Sequence, residues 1–81
     1  MKLVELTEFL VKSVSKLPDM VSVKQFDDDD DMITIQVLVS EDDMGAVIGV
    51  SGMVANAIRT IVQAAAYINE EKHVRINIDS F

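Results

Sequence analysis

The sequence predicts an α+β fold in which helices pack on one face of a three-stranded sheet. Two hydrophobic periodicities support this prediction, because some segments repeat apolar residues every three to four positions and others alternate them. The helical segments are residues 3–17 and 53–69, and the strand segments are residues 21–26, 32–39 and 73–79. A short helix before Gly49 completes the order α-β-β-α-α-β. With 81 residues and no linker-like stretch, the chain is expected to form one domain over residues 1–81.

The first helix is predicted over residues 3–17, and Pro18 is expected to end it because the residue before a proline avoids the α conformation. Its apolar stripe comprises Leu3, Leu6, Leu10, Val14 and Leu17. Residues 21–26 alternate weakly and are predicted to form the first strand. The second strand, residues 32–39, has the clearest alternation in the chain.

Five consecutive acids, Asp27–Asp31, separate these two strands. Like charges in a row cannot pair with one another, so we predict an exposed hairpin turn. Carboxylates also bind Ca²⁺ and Mg²⁺, but this run lacks the spaced ligands and the turn glycine of an EF-hand loop. The hairpin turn is therefore the favoured interpretation, and no metal site is predicted.

Ser40 is expected to cap the short helix, with Asp43 at the N3 position of a capping box. That helix is predicted to reach Ile48 and to end at Gly49, and Gly52 opens the long helix of residues 53–69. The predicted buried stripe of the long helix comprises Val54, Ile58, Ile61, Val62, Ala65 and Ile68. A second face of mostly small residues, a possible partner surface, comprises Met53, Ala57, Thr60, Ala64 and Tyr67.

The composition excludes several classes of function. The chain has no cysteine, a single histidine (His73) without an evident acid–base partner, and a serine in the glycine turn (Ser51) without an identifiable base. We therefore predict that it is not an enzyme and has neither a cofactor nor a small-molecule substrate. A membrane span is not expected either, because no apolar run approaches about 20 residues.

The segment Ile48-Gly49-Val50-Ser51-Gly52 places two glycines between two helices, inside a strand-helix-helix-strand unit. With Asp43–Gly49, Ala55–Thr60 and Ala64–Ala66 beside it, the whole chain resembles a type II KH domain. It resembles in particular the small bacterial KhpA family of single-KH proteins. The resemblance implies a type II KH-like fold and a cytoplasmic protein that binds single-stranded RNA, as an RNA chaperone or post-transcriptional regulator.

The resemblance also implies which residues would contact RNA. Gly49, Val50, Ser51 and Gly52 would clamp the sugar-phosphate backbone, which glycine allows to approach closely. The groove beside the clamp would be lined by Ile48, Met53, Asn56 and Arg59, with Ile35 and Val37 on the strand side. The expected protein partners are a second copy of the chain or a larger KH protein of the KhpB/Jag type.

The sequence departs from the family pattern in charge. Ala46, Val50, Met53 and Asn56 stand where the pattern has lysine or arginine, which leaves Arg59 as the main cation. The net charge is −7, although residues 44–69 contain no acid. Lost phosphate contacts weaken binding through lost counterion release. The alternative hypothesis is therefore a degenerate KH domain that acts mainly as a dimerisation or adaptor module, with weak or no autonomous RNA binding.

Overall fold

The computed structural model describes residues 2–27, 32–70 and 73–81. The described residues form three helices and three strands in the predicted order α-β-β-α-α-β, which confirms the predicted fold class. Their bounds are α1 Leu3–Val14, β1 Ser22–Asp27, β2 Met32–Val39, α2 Met44–Ile48, α3 Met53–Ile68 and β3 His73–Ser80. Single 3₁₀ turns occupy Pro18–Met20, Glu41–Asp43 and Val50–Gly52.

The sheet has the strand order β1-β2-β3, with β2 in the centre. Strands β1 and β2 run antiparallel, whereas β2 and β3 run parallel, with Ile35 beside Ile76. A parallel neighbour requires a crossover connection, and α2 and α3 together provide it. Of the predicted turn at Asp27–Asp31, Asp27 belongs to β1 and the remaining four residues lie outside the described part of the chain.

The core lies between one face of the sheet and the helices. The buried residues of β2 alternate with half-buried ones, as predicted from its sequence. Val11 of α1, Val47 of α2 and Val62 of α3 are fully buried in the same cluster. This cluster therefore joins all three helices to one sheet face. Its strand members are Ile33, Ile35, Val37, Val39 and Ile76.

Helix α1 ends at Val14, three residues before the predicted end at Leu17. The cause is a contact with Asp43, the residue directly before α2. The N–H groups of Lys16 and Leu17 donate to the two carboxylate oxygens of Asp43, at 2.9 and 3.0 Å. These amides therefore leave the helical pattern before Pro18 is reached, and Leu17 is partly exposed rather than buried.

The predicted capping box at Ser40 is only half formed. The Ser40 hydroxyl accepts a hydrogen bond from the Asp42 N–H at 3.3 Å, as a cap does. The Asp43 side chain, however, does not accept the Ser40 N–H that a capping box requires. It is buried beside the chain that follows α1 and accepts the Lys16 N–H instead. The predicted single helix up to Ile48 is accordingly split into a 3₁₀ turn and the five-residue α2.

Helix α3 has the predicted bounds to within one residue, but its buried side differs from the predicted stripe. Ile61 and Ile68 are 46% and 81% exposed, so their assignment to the core was wrong. Ala55 and Ala66 are buried instead, because small side chains let α3 approach the sheet closely. The second predicted face of α3, from Met53 to Tyr67, is exposed throughout.

Candidate nucleic-acid interface

The connection between α2 and α3 is a tight turn that needs left-handed backbone. Helix α2 ends at Ile48, and Gly49 follows with φ of 79°. Gly52 begins α3 with φ of 78°, and Ser51 between them also has a positive φ of 54°. Two of these three positions are glycine, which adopts such angles without steric cost. The predicted end of α2 and start of α3 are therefore confirmed.

The two glycines differ in what surrounds them. A Cβ atom on Gly49 would lie 2.5 Å from Val54 Cγ2 and 2.8 Å from the Val54 backbone nitrogen. A Cβ atom on Gly52 would meet nothing closer than Asn56 Nδ2 at 3.8 Å. Gly49 is thus required by packing within the protein. The space over Gly52 is open, so its bare backbone is accessible to a ligand.

The turn exposes its side chains and part of its polar backbone. Val50 and Met53 are 81% and 68% exposed, and the Ser51 hydroxyl has no hydrogen-bond partner within the described ranges. Helix α3 begins without a side-chain cap. The Gly52 N–H donates to the Gly49 carbonyl at 3.2 Å, and the Met53 N–H donates to the Val50 carbonyl. A backbone clamp would therefore use those N–H groups of the turn that have no internal hydrogen bond.

A continuous series of contacts links the turn to the sheet. Asn56 lies next to the open side of Gly52, and its Oδ1 accepts from Arg59 Nη1 at 3.2 Å. Arg59 Nε donates to the Ile76 carbonyl on β3 at 3.4 Å. The guanidinium is thus held between α3 and the outer edge of β3. Asn56 and Arg59 are brought together with the turn as predicted.

Beyond Arg59 a groove of about 650 Å³ runs between α3 and β3. Its wall on α3 is formed by Arg59, Thr60, Gln63, Ala64 and Tyr67, and its wall on the sheet by Met32, His73, Val74, Arg75 and Ile76. Among the described residues, the lining includes two arginines and no carboxylate. In a chain with a net charge of −7, this is a local surface suited to an anionic ligand.

The strand side of the groove differs from the prediction. Ile35 and Val37 are fully buried on the helix-facing side of β2, so they cannot line it. The strand wall comes mainly from β3, with Met32 at the start of β2, because β3 is the edge strand beside α3. Arg75 adds a second cation to Arg59. Its position on a short strand after α3 was visible in the sequence, but only the packing of α3 beside β3 brings it to the groove.

The groove also contains an aromatic pair. The rings of Tyr67 and His73 lie 6.3 Å apart and are tilted by 41° to each other. Tyr67 is 61% exposed, so most of its ring is available to a ligand. Of the remaining predicted site residues, Ile48 is half-buried at the end of α2.

Other kinds of site find little support in the described residues. No group of three or more histidine and acidic side chains there is arranged to hold a metal ion. No single helix in the described ranges has the length and hydropathy to cross a membrane. The segments Glu41–Ile48 and Val50–Ile68 meet that criterion only as a pair bent by 51°.

Comparison with known proteins gives a consistent result. The family described as KhpA/KhpB, KH domain, matches residues 4–78. The chain is similar to a protein named RNA-binding protein KhpA from Clostridium perfringens, with 43% identity over 74 residues, covering 91% of this chain and 96% of that protein. A Clostridium acetobutylicum protein of the same name is 39% identical over the same shares.

The fold also recurs in a larger protein. A crystal structure of Aquifex aeolicus Era bound to GDP·AlF₄⁻ superposes with a TM-score of 0.68 at 16% identity. The match covers 96% of this chain and 29% of the Era chain. At this level of identity the likeness shows a shared fold, and the fold is α+β with a three-stranded mixed sheet.

Proposed function

The chain belongs to the KhpA/KhpB KH-domain family, and on that premise we propose that it binds single-stranded RNA along the surface from the Gly49–Gly52 turn to the α3–β3 groove. Two relatives carry the name RNA-binding protein. The proposed cellular role is that of a cytoplasmic RNA chaperone or post-transcriptional regulator. It requires no catalytic group, because the activity is binding.

The observation that carries this proposal is the contact series from Gly52 through Asn56 and Arg59 to Ile76. It joins an open, left-handed turn to a groove whose described lining has two arginines and no carboxylate. Phosphates need close backbone approach and positive charge, and bases need flat or apolar surface. Both requirements are met along one path.

Different parts of this surface would contact different chemical groups of the RNA. Backbone amides of the turn other than that of Gly52, whose N–H bonds the Gly49 carbonyl, would hold one phosphate over the open Gly52 backbone, together with the positive end of the α3 dipole. Arg59 and Arg75 would neutralise phosphates further along the strand. Tyr67, which is 61% exposed, would stack on a base. Met53 and Val50 would border the path with apolar surface.

The test compares two substitutions at one position. Gly52→Asp and Gly52→Asn have nearly the same shape, and the left-handed region tolerates both side chains better than others. The aspartate places a negative charge at the proposed phosphate position, whereas asparagine does not. Affinity for a fluorescently labelled single-stranded RNA pool is measured by anisotropy at low salt, with folding checked by circular dichroism.

We expect the wild-type protein to bind and Gly52→Asp to weaken binding much more than Gly52→Asn. Equal affinities of the two variants would contradict the backbone clamp. A wild-type protein that shows no binding at about 100 μM, the weak end of non-specific nucleic-acid affinity, would contradict autonomous RNA binding altogether.

A second candidate function is that of a dimerisation or adaptor module, in a homodimer or with a larger KhpB-type protein. The observation in its favour is an uncharged, exposed face of α3 beside the groove. This face comprises Met53, Ala57, Ile61, Ala64 and Ile68, and Val50 of the turn extends it. Exposed apolar surface of this kind is typical of protein contacts. The face adjoins the groove and shares Ala64 with it, so the two functions would use neighbouring surfaces of α3.

A further inference from the structure

Gln63 has a buried hydrogen-bond donor without a partner. Its Oε1 accepts a hydrogen bond from the Val74 N–H of β3 at 3.0 Å. Its Nε2 is buried and has no partner among the described residues. A primary amide nitrogen cannot accept the Val74 proton, so this bond fixes which end of the side chain is which. The unused donor therefore has a defined position in the wall of the groove.

Buried donors are almost always satisfied in folded proteins, and one left unpaired is costly until an acceptor reaches it. We propose that Gln63 is a specificity-determining residue that donates from Nε2 to an acceptor atom of a nucleobase held in the α3–β3 groove. This inference rests on the proposed function, since it assigns a ligand atom within the same binding surface.

The surroundings of Gln63 favour a base over a phosphate as the source of the acceptor. Gln63 is eleven residues beyond Gly52, which is roughly 16 Å along α3 from the proposed phosphate clamp. Tyr67 and Thr60 are its neighbours on the helix surface, and Ala64, Val74 and Ile76 line the groove with it. An uncharged donor beside Tyr67 and aliphatic side chains suits the edge of a stacked base, while Arg59 and Arg75 in the same lining suit the adjoining phosphates.

We expect a base edge to reach the donor through movement of neighbouring side chains. Arg59 and Tyr67 lie one helical turn to either side of Gln63, and both are exposed. Long or exposed side chains of this kind change rotamer readily. The backbone of α3 and the Val74 bond can therefore stay in place while a base edge reaches Nε2.

The test measures the binding of two RNA pools to the wild-type protein and to two Gln63 variants. The probes are a labelled random-sequence RNA decamer pool and a matched decamer pool whose four central positions are abasic. Gln63→Met removes the donor without adding charge. Gln63→Glu removes the donor but retains an oxygen for the Val74 N–H. Its added charge should weaken the binding of both pools alike. The measurement is therefore the ratio of the affinity for the base-bearing pool to the affinity for the abasic pool.

We expect the wild-type protein to prefer the base-bearing pool, and both variants to reduce that preference by about five- to tenfold. If Gln63→Met does not fold by circular dichroism, Gln63→Glu decides. The Gln63 side-chain amide signal in a ¹⁵N NMR spectrum, identified by its loss in Gln63→Glu, should also shift when the base-bearing pool is added and not when the abasic pool is.

The outcomes separate this inference from the proposed function. An unchanged preference ratio in the folded variants overturns the inference and leaves the phosphate clamp intact. Equal wild-type affinity for both pools has the same meaning, because no base is then read. Absence of wild-type binding to either pool overturns the proposed function and this inference together.

Discussion

The buried carboxylate of Asp43 accepts a hydrogen bond from the Leu17 N–H at 3.0 Å, across 26 residues of sequence. Its other oxygen accepts from the Lys16 N–H at 2.9 Å. Asp43 immediately precedes α2, so these bonds connect the start of α2 to the chain just after α1. They also satisfy a charge that is otherwise buried, with 1% of the residue exposed.

Replacement of Asp43 should therefore destabilise the fold. Asp43→Ala removes both acceptors, and hydrogen bonds to charged groups contribute more than neutral ones, so we expect a loss of about 3 kcal/mol in the free energy of unfolding. Asp43→Asn keeps one acceptor and should lose about half as much. Urea denaturation measures both. Asp42→Ala is the matched control, because the Asp42 side chain is exposed, and it should change stability by less than about 0.5 kcal/mol.

The same contact explains why the end of α1 could not be predicted from local sequence. Pro18 predicted an end at Leu17, but the Lys16 and Leu17 amides bind the Asp43 carboxylate and the helix ends earlier, at Val14. Asp43 itself has the sequence signature of a capping box. Only tertiary packing decides that its carboxylate turns to α1 instead of to Ser40.

The glycine turn shows the opposite case. Gly49 and Gly52 both have positive φ angles, and the helix boundaries beside them were predictable because backbone conformation there depends on residue type. The sequence could not distinguish their roles. Gly49 is fixed by contact with Val54, five residues away, and Gly52 faces open space.

Alanine substitution should separate these roles. Gly49→Ala combines a left-handed backbone with overpacking against Val54, and we expect it to lose at least about 3 kcal/mol of unfolding free energy. We expect Gly52→Ala to lose only about 1–2 kcal/mol of unfolding free energy, the cost of a left-handed backbone at a residue with a Cβ atom. Gly45→Ala, inside α2 with nothing near its Cβ, should gain up to about 1 kcal/mol. Similar losses at positions 49 and 52 in thermal or urea unfolding would refute the distinction.

The groove was only partly predictable. Asn56 and Arg59 were expected there from the family resemblance, but Arg75, Tyr67 and Gln63 meet only because α3 crosses beside β3. The buried side of α3 was missed for a related reason. Larger apolar residues such as Ile61 fit the helical period, yet the close approach of α3 to the sheet selects Ala55 and Ala66.

The exposed face of α3 leads to a prediction about oligomeric state. Ile68 is 81% exposed, so a charge there should not disturb the monomer fold, and the free energy of unfolding at low concentration should change by less than about 0.5 kcal/mol. If the face mediates self-association, Ile68→Glu should shift the protein to the monomer in sedimentation velocity.

Phe9→Glu is the control for this substitution, because Phe9 is 64% exposed on α1, outside the α3 face. It should leave the distribution of species unchanged. Wild-type protein that is monomeric at all concentrations, with no partner bound through this face, would count against the adaptor hypothesis.

The salt dependence of RNA binding should report how many cations act in the groove. Each phosphate neutralised on a single strand contributes about −0.7 to the slope of log affinity against log salt, so Arg59 and Arg75 together predict a slope between about −1 and −2. Arg75→Gln should reduce its magnitude by about 0.7. Lys24→Gln is the matched control, because Lys24 lies on β1 at the other edge of the sheet and should leave the slope unchanged. A wild-type slope steeper than about −3 would mean that cations outside this groove contact the RNA.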